Sequence, residues 1–153
     1  MKIYTDTSVI GGCFDFEFRE WSIALFQEFV LGSEQIMLSD LTLKELELAR
    51  DEIRNKINEI PDQNRITIGM SDDVIELADR YISEGALTNK SYNDALHIAL
   101  ATINNCDVLA SWNFKHIVNL ERIRLYNSIN FRHGYKMIEI RTPREILKSN
   151  DYE

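Results

Sequence analysis

Apolar and polar positions fall into short blocks whose period switches between two and about 3.6 residues along the chain. Residues 2–6 (K-I-Y-T-D) alternate with β-branched and aromatic side chains and predict a strand that ends at Asp6. Residues 17–31 set Phe18, Trp21, Leu25, Phe26 and Phe29 at helical spacing ahead of Gly32, which predicts a core-facing helix with a glycine stop. Residues 35–39 (Q-I-M-L-S) read as a second strand, and a long charged helix is expected over 41–60, up to Pro61. Ile66, Ile68 and Met70 alternate as a brief strand or extended connection. Residues 71–84 open on Ser71 and two acids and carry Val74, Leu77, Ala78 and Tyr81 on one stripe, which predicts a capped helix. Residues 91–104 are apolar on nearly every side, as in a helix packed between layers.

Residues 107–111 (D-V-L-A-S) predict a short buried strand, followed by a helical stretch over 112–119. The mixed pattern of 122–134 predicts irregular structure, 137–141 (M-I-E-I-R) a strand, and Thr142-Pro143-Arg144-Glu145 the start of a last short helix. Strands alternating with helices predict one domain over 1–153, a three-layer α/β/α sandwich with a central, mainly parallel sheet. Such folds bind ligands at the carboxyl ends of the strands, where connections diverge.

No apolar run reaches the ~18 residues of a membrane helix, and the first residues lack a signal peptide's layout, so a soluble cytoplasmic protein with no membrane contact is expected. Cys13 and Cys106 form no C-x-x-C pair and read as small apolar residues. With 17 Lys and Arg against 25 Asp and Glu, the net charge of −8 counts against a broad electrostatic grip on nucleic acid.

Four residues stand where this kind of fold builds sites: Asp6 and Asn113 after strands, Glu45 and Asp94 in the first turns of helices. Spacing alone leaves a plainer explanation for each. Thr42 with Glu45 and Ser91 with Asp94 fit the capping box that closes free amides at a helix start, as does Thr142 with Glu145 in a tail without other site signals. Asp6 alone reads as a helix cap. Taken together, carboxylates gathered at one sheet end repel by about 1 kcal/mol per pair at 4 Å in water and about 4 kcal/mol at an intermediate dielectric, and a cation relieves this. Oxygen donors without Cys or a His pair select Mg²⁺ or Mn²⁺, ions suited to phosphodiester hydrolysis without a nucleophilic side chain. An aspartyl-phosphate phosphatase also begins with an acid after the first strand, but generally wants a second acid two residues on, where Ser8 stands.

Four segments, T-D-T-S at 5–8, T-L-K-E-L around Glu45, N-D-A-L-H-I-A-L-A at 93–101 and D-V-L-A-S-W-N-F at 107–114, resemble the PIN-domain family in order and spacing over almost the whole chain. The resemblance implies a metal-dependent endoribonuclease of the kind found as the toxin in VapC-type toxin–antitoxin pairs, with Asp6, Glu45 and Asp94 holding Mg²⁺ or Mn²⁺. The fourth family position, usually Asp, is Asn113, which offers a carbonyl oxygen and no charge. Thr7 and Ser8 are expected to support Asp6, Ser111 to hydrogen-bond a carboxylate or water, and Lys115, His116 and Arg132 to contact RNA. Arg122, Arg124, Arg132, His133 and Lys136 form the stretch with a clear basic excess. His97 is read as a hydrogen-bonded core histidine outside the site. A homodimer and an antitoxin peptide are the expected protein partners, through the helices over 17–31 or 41–60. The alternative is a non-catalytic PIN-like module that binds RNA or protein.

Overall fold

The structure, a computed structural model, describes residues 1–148. Strands β1 (Lys2–Thr5), β2 (Gln35–Ser39), β3 (Arg65–Ile68), β4 (Val108–Ala110) and β5 (Ile140–Arg141) form one sheet in the order β3-β2-β1-β4-β5. Every pairing among them is parallel. Helices α1 (Thr7–Gly12), α2 (Arg19–Leu31), α3 (Asp40–Glu47), α4 (Asp51–Lys56), α5 (Asp72–Ser83), α6 (Tyr92–Ile103), α7 (Leu120–Arg132) and α8 (Pro143–Lys148) cover it.

Strand alternation sends side chains to opposite faces, and both faces are apolar. Tyr4, Met37, Leu109 and Ile140 join a core closed by α5, α6 and α7. Ile3, Ile36, Leu38, Val108 and Ala110 join a second core closed by α1, α2 and α8. The result is the expected α/β/α sandwich. Helix α6 is buried from Ala95 through Thr102, which accounts for its nearly continuous apolar sequence.

Three elements differ from the sequence reading. The helix expected over 41–60 is two, because the chain leaves α3 at Leu48, whose side chain is 91% exposed, and restarts after Arg50. The break lets Ile53 and Ile57 fold onto the same core as Leu46. The stretch 112–119 is a set of turns closed on Asn113, whose carbonyl accepts from Ile117 N at 3.1 Å and Val118 N at 2.8 Å. The segment expected to be irregular, 122–134, is instead most of α7, with the Asn119 side chain capping its start by accepting from Arg122 N. Its stripe was hidden because one buried position is polar. Asn130 is enclosed, accepting from the Tyr81 hydroxyl and reaching Thr102 Oγ1 at 3.4 Å. Helix α7 also shortens β5, since the Asn127 side chain holds both the N–H and the carbonyl of Ile138.

Among the described residues, no helix is long and apolar enough to cross a membrane.

Two adjacent glycines in α1 face different surroundings. A Cβ on Gly12 would stand 2.5 Å from Ser22 Oγ and 2.9 Å from Trp112 Nε1, whereas one on Gly11 meets nothing within 4 Å. Gly12→Ala is expected to destabilise by about 1–3 kcal/mol through overpacking, and Gly11→Ala to stabilise by about 0.5–1 kcal/mol through helix propensity. Urea unfolding of both variants checks the opposite signs.

Candidate functional site at the carboxyl ends of β1 and β4

After β1 the chain moves to β2 and β3 on one side, and later returns to add β4 and β5 on the other. The crevice between β1 and β4 is therefore the topological switch point of the sheet. Asp6 follows β1 and Ser111 follows β4, so the strand ends themselves deliver these two residues to one place.

Asp6 caps α1, with Oδ1 accepting from Val9 N at 3.3 Å and from Ser8 Oγ at 2.5 Å. Its other oxygen accepts from Ser111 Oγ at 2.6 Å. The residue is 4% exposed, and burial pushes its carboxyl above the ordinary value despite His97 nearby and the three hydrogen bonds. Ser8 Oγ also accepts from Trp112 N at 2.9 Å and Ser111 Oγ from Asn113 N at 2.9 Å, so the two serines lock the turn after β4 onto Asp6.

Glu45 is not a capping residue. Ser39 caps α3 by accepting from Thr42 N, and the Glu45 oxygens go elsewhere: Oε2 accepts from Thr7 Oγ1 at 3.0 Å, and Oε1 lies 2.6 Å from His97 Nε2. Burial pushes this carboxyl up, but the His97 hydrogen bond and charge together with Thr7 outweigh it, leaving Glu45 below the usual carboxylate range. An ionised carboxylate only accepts, so the Nε2 nitrogen carries the hydrogen. Behind it, His97 Nδ1 lies 2.6 Å from the Tyr4 hydroxyl, which lies 2.8 Å from Ser39 Oγ.

The capping box also fails at Asp94, since Ser91 makes no side-chain cap bond. Asp94 Oδ1 accepts from Asn113 Nδ2 at 3.4 Å, and Oδ2 lies 3.0 Å from His116 Nδ1. Asn113 Oδ1 accepts from His116 N at 3.0 Å, which fixes the amide orientation. The box is real only at Thr142 and Glu145, which exchange both bonds at 3.1 Å. Identical spacing thus gives a cap in the tail and hydrogen-bonded acids at the switch point.

Hydrogen bonds, with one step along the backbone from Thr7 to Asp6, therefore link the expected residues. Glu45 is held by Thr7, the neighbour of Asp6; Asp6 is held by Ser111; Ser111 holds Asn113; and Asn113 contacts Asp94. His97 is buried and hydrogen-bonded as read from sequence, but its partner is Glu45, so it belongs to the site. Tyr4 was missed entirely, and its apolar strand context gave no signal. Lys115 is exposed beside the site. His116 turns onto Asp94 and Ser91. Arg132 is not brought there: it pairs with Glu84 at 2.8 Å, at the far end of a helix whose rise puts it roughly 18 Å from Leu120. His133 pairs with Glu84 as well, so much of the basic stretch is neutralised away from the site.

A hard cation fits the donor chemistry. The acids are met by hydroxyls, an amide and the imidazoles of His97 and His116, and among the described residues no Lys or Arg pairs with Asp6, Glu45 or Asp94. Each carboxylate keeps lone pairs beyond its hydrogen bonds. Among the described residues, no three His, Cys, Asp or Glu side chains stand in a ready-made metal cage.

No family model and no curated protein matches the sequence. Solved structures do match in shape. The VapBC2 complex of Rickettsia felis bound to a promoter DNA fragment contains a chain similar over 93% of this chain and 98% of its own, with a TM-score of 0.58 and 14% identity. VapC20 of Mycobacterium tuberculosis, a Sarcin-Ricin loop cleaving toxin, is similar over 74% of this chain and 92% of its own, with a TM-score of 0.56 and 15% identity. A chain of FitAcB from Neisseria gonorrhoeae is similar over 92% of this chain and 97% of its own, with a TM-score of 0.56 and 13% identity. At such identities the likeness is one of architecture, and the fold of this chain is that of the PIN-domain proteins of toxin–antitoxin pairs.

Proposed function

We propose that the chain is a metal-dependent endoribonuclease, the toxin of a toxin–antitoxin pair, with Asp6, Glu45 and Asp94 as ligands of Mg²⁺ or Mn²⁺ and Asn113 as their auxiliary. The observation that carries this reading is that Thr7, Ser111 and Asn113 tie into one network, at the switch point, three acids, two of which could have been helix caps and are not. The shape shared with a ribosomal-RNA-loop-cleaving toxin supports RNA as the substrate. The neighbours solved as two-protein complexes support an antitoxin partner. A second copy of the chain remains the other proposed protein contact.

A bound Mg²⁺ or Mn²⁺ supplies Lewis acidity to the attacked phosphate and acidifies the water that attacks it. The chain's own residues do the rest. Ser8 and Ser111 fix both oxygens of Asp6 at the strand ends, while Thr7 and His97 favour the ionised form of Glu45. Asn113 holds the Asp94 side of the crevice, with its carbonyl engaged by His116 N. The phosphatase reading is disfavoured because the carboxylate that would attack is almost wholly buried and tied by both oxygens.

The second reading is a PIN-like module that binds RNA or protein without cutting. It is favoured by the neutral Asn113 and by the lack of a ready-made three-ligand cage among the described residues. Gel assays on RNA with Mn²⁺ separate the two: Asp94→Asn and Glu45→Gln are expected to lower cleavage at least about a hundredfold, as loss of electrostatic stabilisation by one group commonly does. Cutting that survives EDTA, or that both variants retain, rejects the nuclease.

Asn113→Asp would set a fourth carboxylate against Asp94, adding repulsion of about 4 kcal/mol at 4 Å and intermediate dielectric that a cation would relieve. The metal-free variant is expected to melt lower than the parent, to gain more Tm on adding Mn²⁺, and to bind Mn²⁺ at least tenfold more tightly by calorimetry.

Proton and metal compete for Asp6. Since burial raises its carboxyl pKa, the proton is held to higher pH than in an exposed aspartate, and Mn²⁺ affinity is expected to keep rising with pH above the ordinary carboxylate range. Calorimetry across about pH 5 to 8 measures this, and a flat affinity would remove Asp6 from the ligand set.

A further inference from the structure

Beside the acids lies a cleft of about 560 Å³, within the roughly 300–1,000 Å³ typical of small-ligand sites. It is continuous with the candidate site, because Ser8 and Asn113 line both. Its wall is aromatic. Phe18 and Trp112 stack with ring centroids 4.5 Å apart and planes 19° apart, and Phe14 adds a third, exposed ring. Phe114, 52% exposed, leans on both members of the stack at 6.3 and 6.2 Å. The stack is built rather than incidental: Trp112 Nε1 donates to the buried Ser22 Oγ at 2.8 Å, and the ring fits only because position 12 has no Cβ. Arg50, Ile53 and Asp15 complete the charged and apolar lining, and the salt bridge of Arg50 to Glu52 joins two exposed side chains, a pairing of little strength that a phosphate can displace.

We infer that this cleft is a nucleobase subsite, in which one unpaired base of a single-stranded or looped RNA stacks against the Phe14, Phe18 and Trp112 wall, with Arg50 taking a flanking phosphate. The inference rests on the nuclease reading for its meaning but not for its test. Flat aromatic walls suit any base, so the subsite selects unstacked over paired RNA more than one base over another. An antitoxin side chain is the rival occupant. The base is favoured because the cleft shares Ser8 and Asn113 with the network that holds Asp6 and Asp94, and because its aromatic lining offers rings to stack on while Arg50, set against Asp15 on the same lining, supplies a cation for a single flanking phosphate.

The probe is a short RNA carrying a central 2-aminopurine, titrated with protein in EDTA and low salt so that nothing is cut. Stacking is expected to quench its fluorescence, and an oligomer abasic at that position to bind about tenfold more weakly, in keeping with about 1–3 kcal/mol per stacked base. Gly11→Leu is the decisive variant, since Gly11 lines the cleft and its Cβ position is open, so that the new side chain fills the cleft without disturbing the fold. It is expected to melt no lower than the parent, to keep the parent's circular dichroism, and to bind the intact oligomer as weakly as the parent binds the abasic one. Phe18→Ala should lose the quench as well. Equal affinity for intact and abasic RNA, absence of quenching, or a Gly11→Leu protein that loses an antitoxin peptide but not RNA would each overturn the subsite. Base-dependent quenching by a protein that cuts nothing supports the subsite and fails the nuclease, whereas metal-dependent cutting with no base dependence does the reverse.

Discussion

The site depends on burying the Asp6 carboxylate where two neighbouring parallel strands end. Moving a carboxylate out of water costs several kcal/mol unless hydrogen bonds replace its hydration. Here the replacement comes from both strand ends, through Ser8 on the β1 side and Ser111 on the β4 side. The same two serines accept from Trp112 N and Asn113 N, so satisfying the acid also fixes the turn that carries Asn113 toward Asp94. Removing either hydroxyl would take one hydrogen bond from the buried carboxylate and one from the turn together. The sheet order is what makes this possible, since β1 and β4 are neighbours in space while more than a hundred residues separate their ends.

Around that centre the acids are held in unlike electrostatic states. Asp6 is raised by burial, while Glu45 is kept low by His97 and Thr7. The contrast follows from depth and contact: Asp6 is almost wholly buried, so desolvation prevails over its hydrogen bonds, whereas Glu45 is less deeply buried and is bonded directly by His97 and Thr7. His97 is itself braced by Tyr4 and, through it, by Ser39, the residue that caps α3. The helix that presents Glu45 and the histidine that orients it are therefore fixed by one buried polar cluster, which ties the geometry of the site to the packing of β1, β2 and α6.

Most of the fold was legible because burial on both sheet faces writes short apolar runs and continuous apolar helices into the sequence. The failures near the C-terminal half of the sheet share a cause, polar side chains with structural roles inside the protein. Asn130 interrupted the stripe of α7, and Asn127 held the first half of the expected fifth strand. Asp6 and Asn113 were anticipated from strand ends, and Ser8 and Ser111 from the family resemblance, but the bond of Thr7 to Glu45 rather than Asp6 and the His97 link to Glu45 were not. Nothing in sequence distinguishes a core histidine bonded to a backbone carbonyl from one bonded to an acid fifty-two residues away. The capping-box spacing carried no information by itself, because it occurs at two acids of the site and at one true cap.

The acidity of the chain then bears on how it would hold RNA. With a net charge of −8, and with Arg132 and His133 spent on Glu84, long-range attraction to a phosphate backbone is weak. Affinity has to come from short-range terms, and these are of two kinds here: a cation among the acids and stacking on rings. Stacking is insensitive to net charge and falls away within contact distance, so it favours RNA whose bases are already exposed in loops or single strands. An acidic protein with an aromatic wall would therefore ignore bulk duplex RNA and engage a small set of accessible bases. In such a molecule selectivity follows from the poverty of its electrostatics rather than from a code of base-edge hydrogen bonds.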